Sequence, residues 1–278
     1  MQIKAKYFNN NKTGYKNSFI RINPKLVKTA INGNFIAPLA LYYLLKGKYT
    51  NSRIYKNPGS KERLSELSGI SIPTINKYFA ILIKHNLLTQ DKGAWILSPS
   101  RSKIKSTIII DNDNNVSDIK NLLYLKYLEN EGRKQAFENQ FVEYTKGDTE
   151  NKDQYKMELG GTYEPFFSIR YLSKSLNISE LTARQLISYL NQEGKLKTER
   201  PAPEFMFQCA GKVIKYLDGN HGHRYIQNGA LYSVQPSKHK FIDNPIQIKP
   251  MTLKRYKNAC KNIRYRTLAD KINLASIN

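Results

Sequence analysis

Residues 63–90 (RLSELSGISIPTINKYFAILIKHNLLTQ) lie without a gap on residues 171–198 (YLSKSLNISELTARQLISYLNQEGKLKT), an offset of 108 positions. Identical pairs fall at Leu64/Leu172, Ser65/Ser173, Ile70/Ile178, Ser71/Ser179, Thr74/Thr182, Leu82/Leu190 and Leu88/Leu196. An internal repeat constrains the fold more than any single motif, because one supersecondary unit has to be built twice. Each copy reads as a helix, a tight turn at Gly69 or Asn177, a second helix entered through Ser71 or Ser179, and then a hairpin.

The charge is unevenly shared between the copies. The chain of 278 residues carries a formal charge of +23 and has a pI near 9.8, which points to nucleic acid or an anionic surface as partner. Residues 1–110 hold 19 Lys+Arg against 3 Asp+Glu, residues 111–198 hold 12 against 14, and residues 199–278 hold 14 against 5. The first copy sits in a strongly basic third and the second in a neutral one, so the copies are expected to do different jobs. The length suits two domains. No apolar run approaches a membrane span and the amino terminus has no apolar signal segment, so a cytoplasmic protein of a bacterial host cell is expected. Cys209 and Cys260 are isolated, without a CxxC pair, which fits a reducing compartment and reads as two small hydrophobes rather than a disulfide or zinc ligands.

Between these landmarks the pattern predicts the following organisation. Residues 15–28 alternate enough for a strand or strand pair ended by Pro24, and residues 35–47 form a buried first helix. Ser60, with Glu62 and Glu66, opens the next helix, whose Leu64 and Leu67 face the core. After the turn at Gly69, residues 72–85 form a helix with Ile75, Phe79 and Leu82 on its buried face, and Asp91-Lys92-Gly93 joins LLTQ to AWIL as a hairpin. Asp111–Ser117 reads as an interdomain linker. Its alternating Asp111, Asp113 and Asn115 resemble a calcium loop, but Val116 stands where glycine is required and Leu122 where the bidentate glutamate belongs. Residues 118–144 read as one long helix, bent at Gly132, anchored by Leu122, Leu125, Leu128, Phe137 and Phe141; residues 146–161 read as a mobile loop. In residues 205–235 apolar and aromatic runs are broken by Asp218-Gly219-Asn220 and Asn228-Gly229, which predicts several antiparallel strands in the second hairpin.

A DNA-reading helix needs one apolar face pinned to its partner and an opposite face of short polar and basic residues. In the first copy Ser71, Pro73, Thr74, Asn76, Lys77 and Tyr78 are left facing outward, with Lys84 and Lys92 near the helix end and hairpin as phosphate contacts. The alternative is a solvated face of a protein-binding module. In the second copy Glu180 and Glu193 flank the helix and only Arg184, Gln185 and Ser188 remain usable, so that surface is equally suited to binding protein, including a second copy of the chain. The string LSELSGISIPTINKYFAILIKHNLL, followed by DKG and AWIL, resembles winged helix-turn-helix domains. Two such domains in a basic chain of this size, with a strand-like segment before the first, resemble replication initiator proteins of plasmids and phages. The resemblance implies binding of repeated origin sites in double-stranded DNA, recruitment of host replication proteins and transcriptional autoregulation. In that family the second domain is commonly the main origin binder, whereas the charge here favours the first.

Catalytic readings are weaker. His221-Gly222-His223 with Tyr225 resembles the paired histidines and tyrosine of rolling-circle nicking enzymes, but Gly222 stands where a bulky apolar residue is usual and Tyr225 is too close in sequence to aim at a metal-bound phosphate. Tyr256 and Tyr265 are better spaced and read more simply as phosphate or packing partners. No GxxxxGK[ST] occurs, and no enzyme activity, cofactor or metal is expected. Residues 249–271 gather Lys254, Arg255, Lys257, Lys261, Arg264 and Arg266, which reads either as a basic helix or arm along phosphates or as a solvated tail. The expectation is a mainly α protein with small β wings (α+β), two tandem winged-helix domains over 1–110 and 118–248, a linker at 111–117 and a basic carboxy-terminal arm at 249–278. It would act as a DNA-binding replication initiator or regulator of a phage or plasmid; the alternatives are a transcriptional regulator and a structural, virion-packaged DNA-coating protein.

Overall fold

A computed structural model of the chain describes residues 18–49, 51–99, 106–111, 113–146, 162–208, 223–227, 230–234, 236–248 and 251–275. The chain is mainly helical with small sheets, and it divides into two compact units, Met1–Tyr127 and Leu128–Asn278. The first unit begins with β1 (Ser18–Ile22), α1 (Pro24–Asn32) and α2 (Ile36–Lys48), continues through β2 (Arg53–Tyr55), α3 (Ser60–Ser68), α4 (Ile72–Lys84), β3 (Leu88–Gln90), β4 (Ala94–Leu97) and β5 (Ser106–Ile110), and enters α5 (Val116–Lys146). The second adds β6 (Thr162–Tyr163), α6 (Ile169–Leu176), α7 (Glu180–Gln192), β7 (Leu196–Glu199), β8 (Glu204–Gln208), β9 (His223–Gln227), β10 (Ala230–Val234), β11 (Lys238–Phe241), β12 (Ile246–Gln247), α8 (Leu253–Cys260) and α9 (Ile263–Ala275).

The core of the first unit is α2, in which Leu39, Ala40, Leu41, Tyr42, Tyr43, Leu44 and Leu45 are all fully buried. A helix apolar all round can only be a central one. Its two tyrosines are tolerated there because each hydroxyl has a partner: Tyr42 Oη donates to the Ser98 carbonyl at 2.6 Å, and Tyr43 Oη accepts from the Asn23 amide at 3.0 Å. Of the strand expected over 15–28, residues 18–22 form β1 and 15–17 lie outside the described residues, while Pro24 starts a helix rather than merely ending a strand. Asn23 Oδ1 accepts from the amides of Lys25 and Leu26, Pro24 takes the first helical turn, and Val27, Ala30 and Ile31 supply the buried stripe. Strand β1 pairs with β5 from Ser18↔Ile110 to Ile22↔Ser106, a ribbon whose second strand the local pattern did not announce.

The two copies of the repeat fold alike. Helix α4 and α7 occupy positions 108 apart end to end, Gly69 and Asn177 both take the left-handed conformation after α3 and α6 (φ 68° and 53°), and Ser65 and Ser173 donate to the carbonyls of Ile70 and Ile178 at 2.7 and 2.6 Å. Gly and Asn are the residues that enter this conformation at least cost, so the turn is written locally. Ser71 and Ser179 meet Thr74 and Thr182, hydroxyl to hydroxyl, at 2.9 and 2.8 Å. Leu67, expected in the core, is half-buried, and Ser68 takes the buried position beside Leu64.

The strands after each helix pair also correspond. In the first unit the order is β2-β4-β3, with Gln90↔Trp95 closing the hairpin over Asp91-Lys92-Gly93. In the second unit β7 pairs with β11, and Phe166 bridges to Lys238 on the opposite edge of β11. The second hairpin is therefore the first one with residues 200–237 inserted at its tip, and this excursion carries the β8-β10-β9 sheet. Asp218, Gly219, Asn220, Asn228 and Gly229, taken as its turns, lie outside the described residues, as do Cys209, His221, Gly222 and residues 147–161.

The division between units falls inside α5, not in the segment 111–117. Asn115 Oδ1 accepts from the amides of Ser117 and Asp118 while Asp118 Oδ2 accepts from the Asn115 amide, a reciprocal cap, and Val116, Ile119 and Leu123 are buried. Leu122 is only half-buried, and Leu123 and Tyr124 take the inward positions instead. At Gly132 the helix makes a close approach: an added Cβ would lie 2.6 Å from Ile246 Cδ1 and 2.9 Å from Pro165 Cγ. Gly132→Ala gains about 1 kcal/mol of helix propensity but must displace a buried isoleucine and a proline ring, at about 1–3 kcal/mol. A lower urea midpoint than wild type is expected, while Gly93→Ala, with nothing within 4 Å of its added Cβ, is expected to change little.

Residues 251–275 are helical and packed, not a solvated tail. Helices α8 and α9 pack on the end of α5 around Phe141, with Tyr144, Met251, Ala259 and Ala269 buried and Phe137, Tyr256, Cys260, Tyr265 and Leu268 partly so. Rings stack closely there, with Phe141 to Tyr256 at 5.1 Å and Phe141 to Tyr265 at 5.3 Å. No helix among the described residues is long and apolar enough to cross a membrane.

Candidate nucleic-acid interface

Helix α4 is pinned from one side. Ile75, Phe79 and Leu82 are buried, and Phe79 meets Trp95 of β4 edge to face at 5.3 Å. Trp95 is covered in turn by Lys56, whose Nζ stands 5.3 Å from the ring and donates to the Asp91 carbonyl at 2.8 Å. Trp95 thereby ties the hairpin to the helix through Phe79, and Lys56 ties the hairpin's tip and the face of Trp95 to the loop before α3.

The opposite side of α4 is open. Ser71, Pro73, Asn76, Lys77 and Lys84 are exposed, and Thr74 and Tyr78 are half-buried. Ala80, not named among the outward residues from the sequence, is exposed too. Pro73, Asn76, Lys77, Ala80 and Lys84 fall within one arc of the helical wheel, which is the signal that would have found Ala80. Lys92 stands exposed at the hairpin tip, its amide donating to Asp91 Oδ1 at 2.7 Å. Between α4, the hairpin and the loop 56–62 runs an open groove of about 730 Å³, walled by Asn57, Ser60, Asn76, Ala80, Gln90 and Trp95. Such a convex helix face with a shallow groove beside it is suited to an extended ligand, not to an enclosed small molecule.

The matching face of α7 is different in kind. Gln185 and Ser188 are exposed, but Arg184, the one cation in the helix, stands 3.9 Å from Glu180, and Leu181 is 66% exposed. An anion approaching α7 meets a neutralised charge and an apolar side chain.

Of the carboxy-terminal residues, Lys254 and Lys257 are exposed, whereas Arg255 is half-buried. Its guanidinium lies 4.8 Å from the Phe137 ring centre and donates to Gln140 Oε1 at 3.3 Å, and burial lowers its pKa from the ordinary value. Arg255 thus packs on Phe137, unlike the exposed Lys254 and Lys257 on the same helix. Tyr256 and Tyr265 are likewise ring partners of Phe141, and burial raises both phenol pKa values. His223 and Tyr225 lie on β9, opposite Val234 and Tyr232 of β10.

One histidine is chemically unusual and lies away from these faces. His239 on β11 is 2% exposed; its Nε2 pairs with the Phe167 carbonyl at 3.2 Å and its Nδ1 with Thr198 Oγ1 at 3.1 Å, and Asn191 Nδ2 donates to the same hydroxyl at 3.2 Å. Burial holds its pKa down to about 4. The ring stays neutral in the folded state while the unfolded chain takes up a proton below its ordinary 6.5, so this contribution is fully present above about pH 6.5 and is lost as pH falls towards 4, by about 3 kcal/mol in all. The stability gap between wild type and His239→Gln, from urea unfolding, is expected to narrow by about that amount between pH 7 and pH 4. A gap constant with pH would assign the acid sensitivity to other groups.

No protein-family model, no curated protein and no solved structure matches the chain.

Proposed function

We propose that the chain is a double-stranded DNA-binding protein, a replication initiator or regulator of a phage or plasmid, built from two winged-helix domains of which the first reads the duplex. The observation that carries this reading is the outward arc of α4, where Asn76, Lys77, Ala80 and Lys84 stand exposed on a helix pinned by Phe79 and Trp95 to a hairpin tipped by Lys92. A helix with this face enters the major groove, with the polar residues at base edges and the lysines and hairpin tip at phosphates. The basic balance of residues 1–110 supports it by steering an anionic duplex to this unit. Helix α7 is left out of the DNA contact: its ion-paired Arg184 and exposed Leu181 suit a protein partner, a second copy of the chain or a host replication protein. Lys254 and Lys257 on α8 remain available to phosphates.

Selection of the full chain on a randomised duplex library at about physiological salt tests the reading, since specific sites outcompete bulk DNA by about 10³ or more. Enrichment of a motif, repeated or bipartite for an initiator, is expected. Asn76→Ala should then lose about 1–3 kcal/mol on that motif and little on bulk DNA, whereas Lys77→Ala should lose affinity on both. Tight, steeply salt-dependent binding without enrichment would replace this reading by a DNA-coating role.

A further inference from the structure

The chemistry of the α4 face points to the kind of base pair it reads. Across Ile72–Lys84 there is no arginine, the commonest bidentate partner of guanine, and no aspartate or glutamate to accept from the cytosine N4 amine. What the face does offer is one carboxamide, Asn76, among methyl and methylene surfaces. Ala80 and Pro73 are exposed and Ile83 is 40% exposed. Asparagine pairs in two places with adenine, at N6 and N7, and small apolar groups meet the thymine C5-methyl. Lys84 at the helix end suits a phosphate and Lys77 either a phosphate or a guanine edge, so the base class rests on Asn76 and Ala80.

We infer that α4 recognises an A·T-rich core, with an adenine paired to Asn76 and a thymine methyl against Ala80. The inference rests on the DNA-reading assignment above and adds the base class. One helical turn separates the two residues, about 6 Å along the axis, or about two base-pair steps at 3.4 Å, so the adenine and the thymine contact fall within two steps of each other.

The test uses the full chain and the duplex enriched by selection, with each adenine replaced in turn by 7-deaza-adenine and each thymine by uracil. For wild type, one adenine is expected to be sensitive, losing about 5-fold or more when its N7 is removed, with a uracil-sensitive thymine within two steps. Asn76→Ala, on an exposed helical position where alanine is the better helix former, should fold as wild type and bind equally well with and without that N7. A G·C core, or an Asn76→Ala variant that still responds to 7-deaza-adenine, overturns the inference while leaving the DNA-reading assignment in place. Absence of any enriched motif overturns both.

Discussion

Ala80→Glu is expected to weaken binding of the full chain to its preferred duplex by about 100-fold or more without moving its thermal midpoint. Ala80 is exposed in the middle of the α4 arc, one turn after Asn76 and one turn before Lys84. A carboxylate there would face base edges and phosphates in the groove, where like charges brought together cost several kcal/mol. It would also sit four residues before Lys84, in the spacing that pairs glutamate with lysine, and draw that cation away from phosphate. The fold should tolerate the change, because glutamate is nearly as good a helix former as alanine at an exposed site. Ser117→Glu, exposed in the first turn of α5, makes the same change in net charge outside α4. Fluorescence anisotropy on both variants separates the two cases: a large loss for Ala80→Glu with a small one for Ser117→Glu supports the α4 interface, and equal losses would remove it.

Phe141→Ala is expected to be the more damaging change for stability. Phe141 is fully buried and touches three other rings, Phe137, Tyr256 and Tyr265, which together hold α8 and α9 on the end of α5. Truncating a buried phenylalanine costs about 3–5 kcal/mol, from lost burial and from the cavity left behind. The polar contacts described between these helices and α5 include the ion pair of Arg264 with Glu138 and the hydrogen bond of Arg255 to Gln140, both exposed or half-exposed. Pairs of that kind contribute about 1 kcal/mol or less each. The variant should therefore become sensitive to trypsin at Lys254, Lys257, Lys261 and Arg264 under conditions where wild type resists. Phe141→Leu, which keeps most of the volume, should lie between the two. Wild-type protease resistance in Phe141→Ala would mean that the ring cluster is not what fastens these helices.

Much of the candidate interface was legible because its determinants are local. Period-3.6 burial separated Ile75, Phe79 and Leu82 from Asn76, Lys77 and Lys84, and a hairpin turn at Asp91-Lys92-Gly93 needed only a few neighbouring residues to be recognised. Ala80 was not named among the outward residues, although its place on the wheel lies outside. The packing of Arg255 was not legible, because its neighbour Phe137 and the amide of Gln140 come from more than a hundred residues away.

The sequence by itself determined that one helix–turn–helix unit is built twice, 108 residues apart, since caps, left-handed turns and buried stripes are properties of short windows. Only the tertiary structure decided which distant segments complete each copy. Ser18 pairs with Ile110, and Lys238 returns to Glu199 across the excursion 200–237. The boundary between units lies in the middle of α5, and the basic segment 251–275 folds against Phe141. Strand partners and the burial of charged or aromatic side chains depend on contacts between residues far apart in the chain, and no local pattern carries that information.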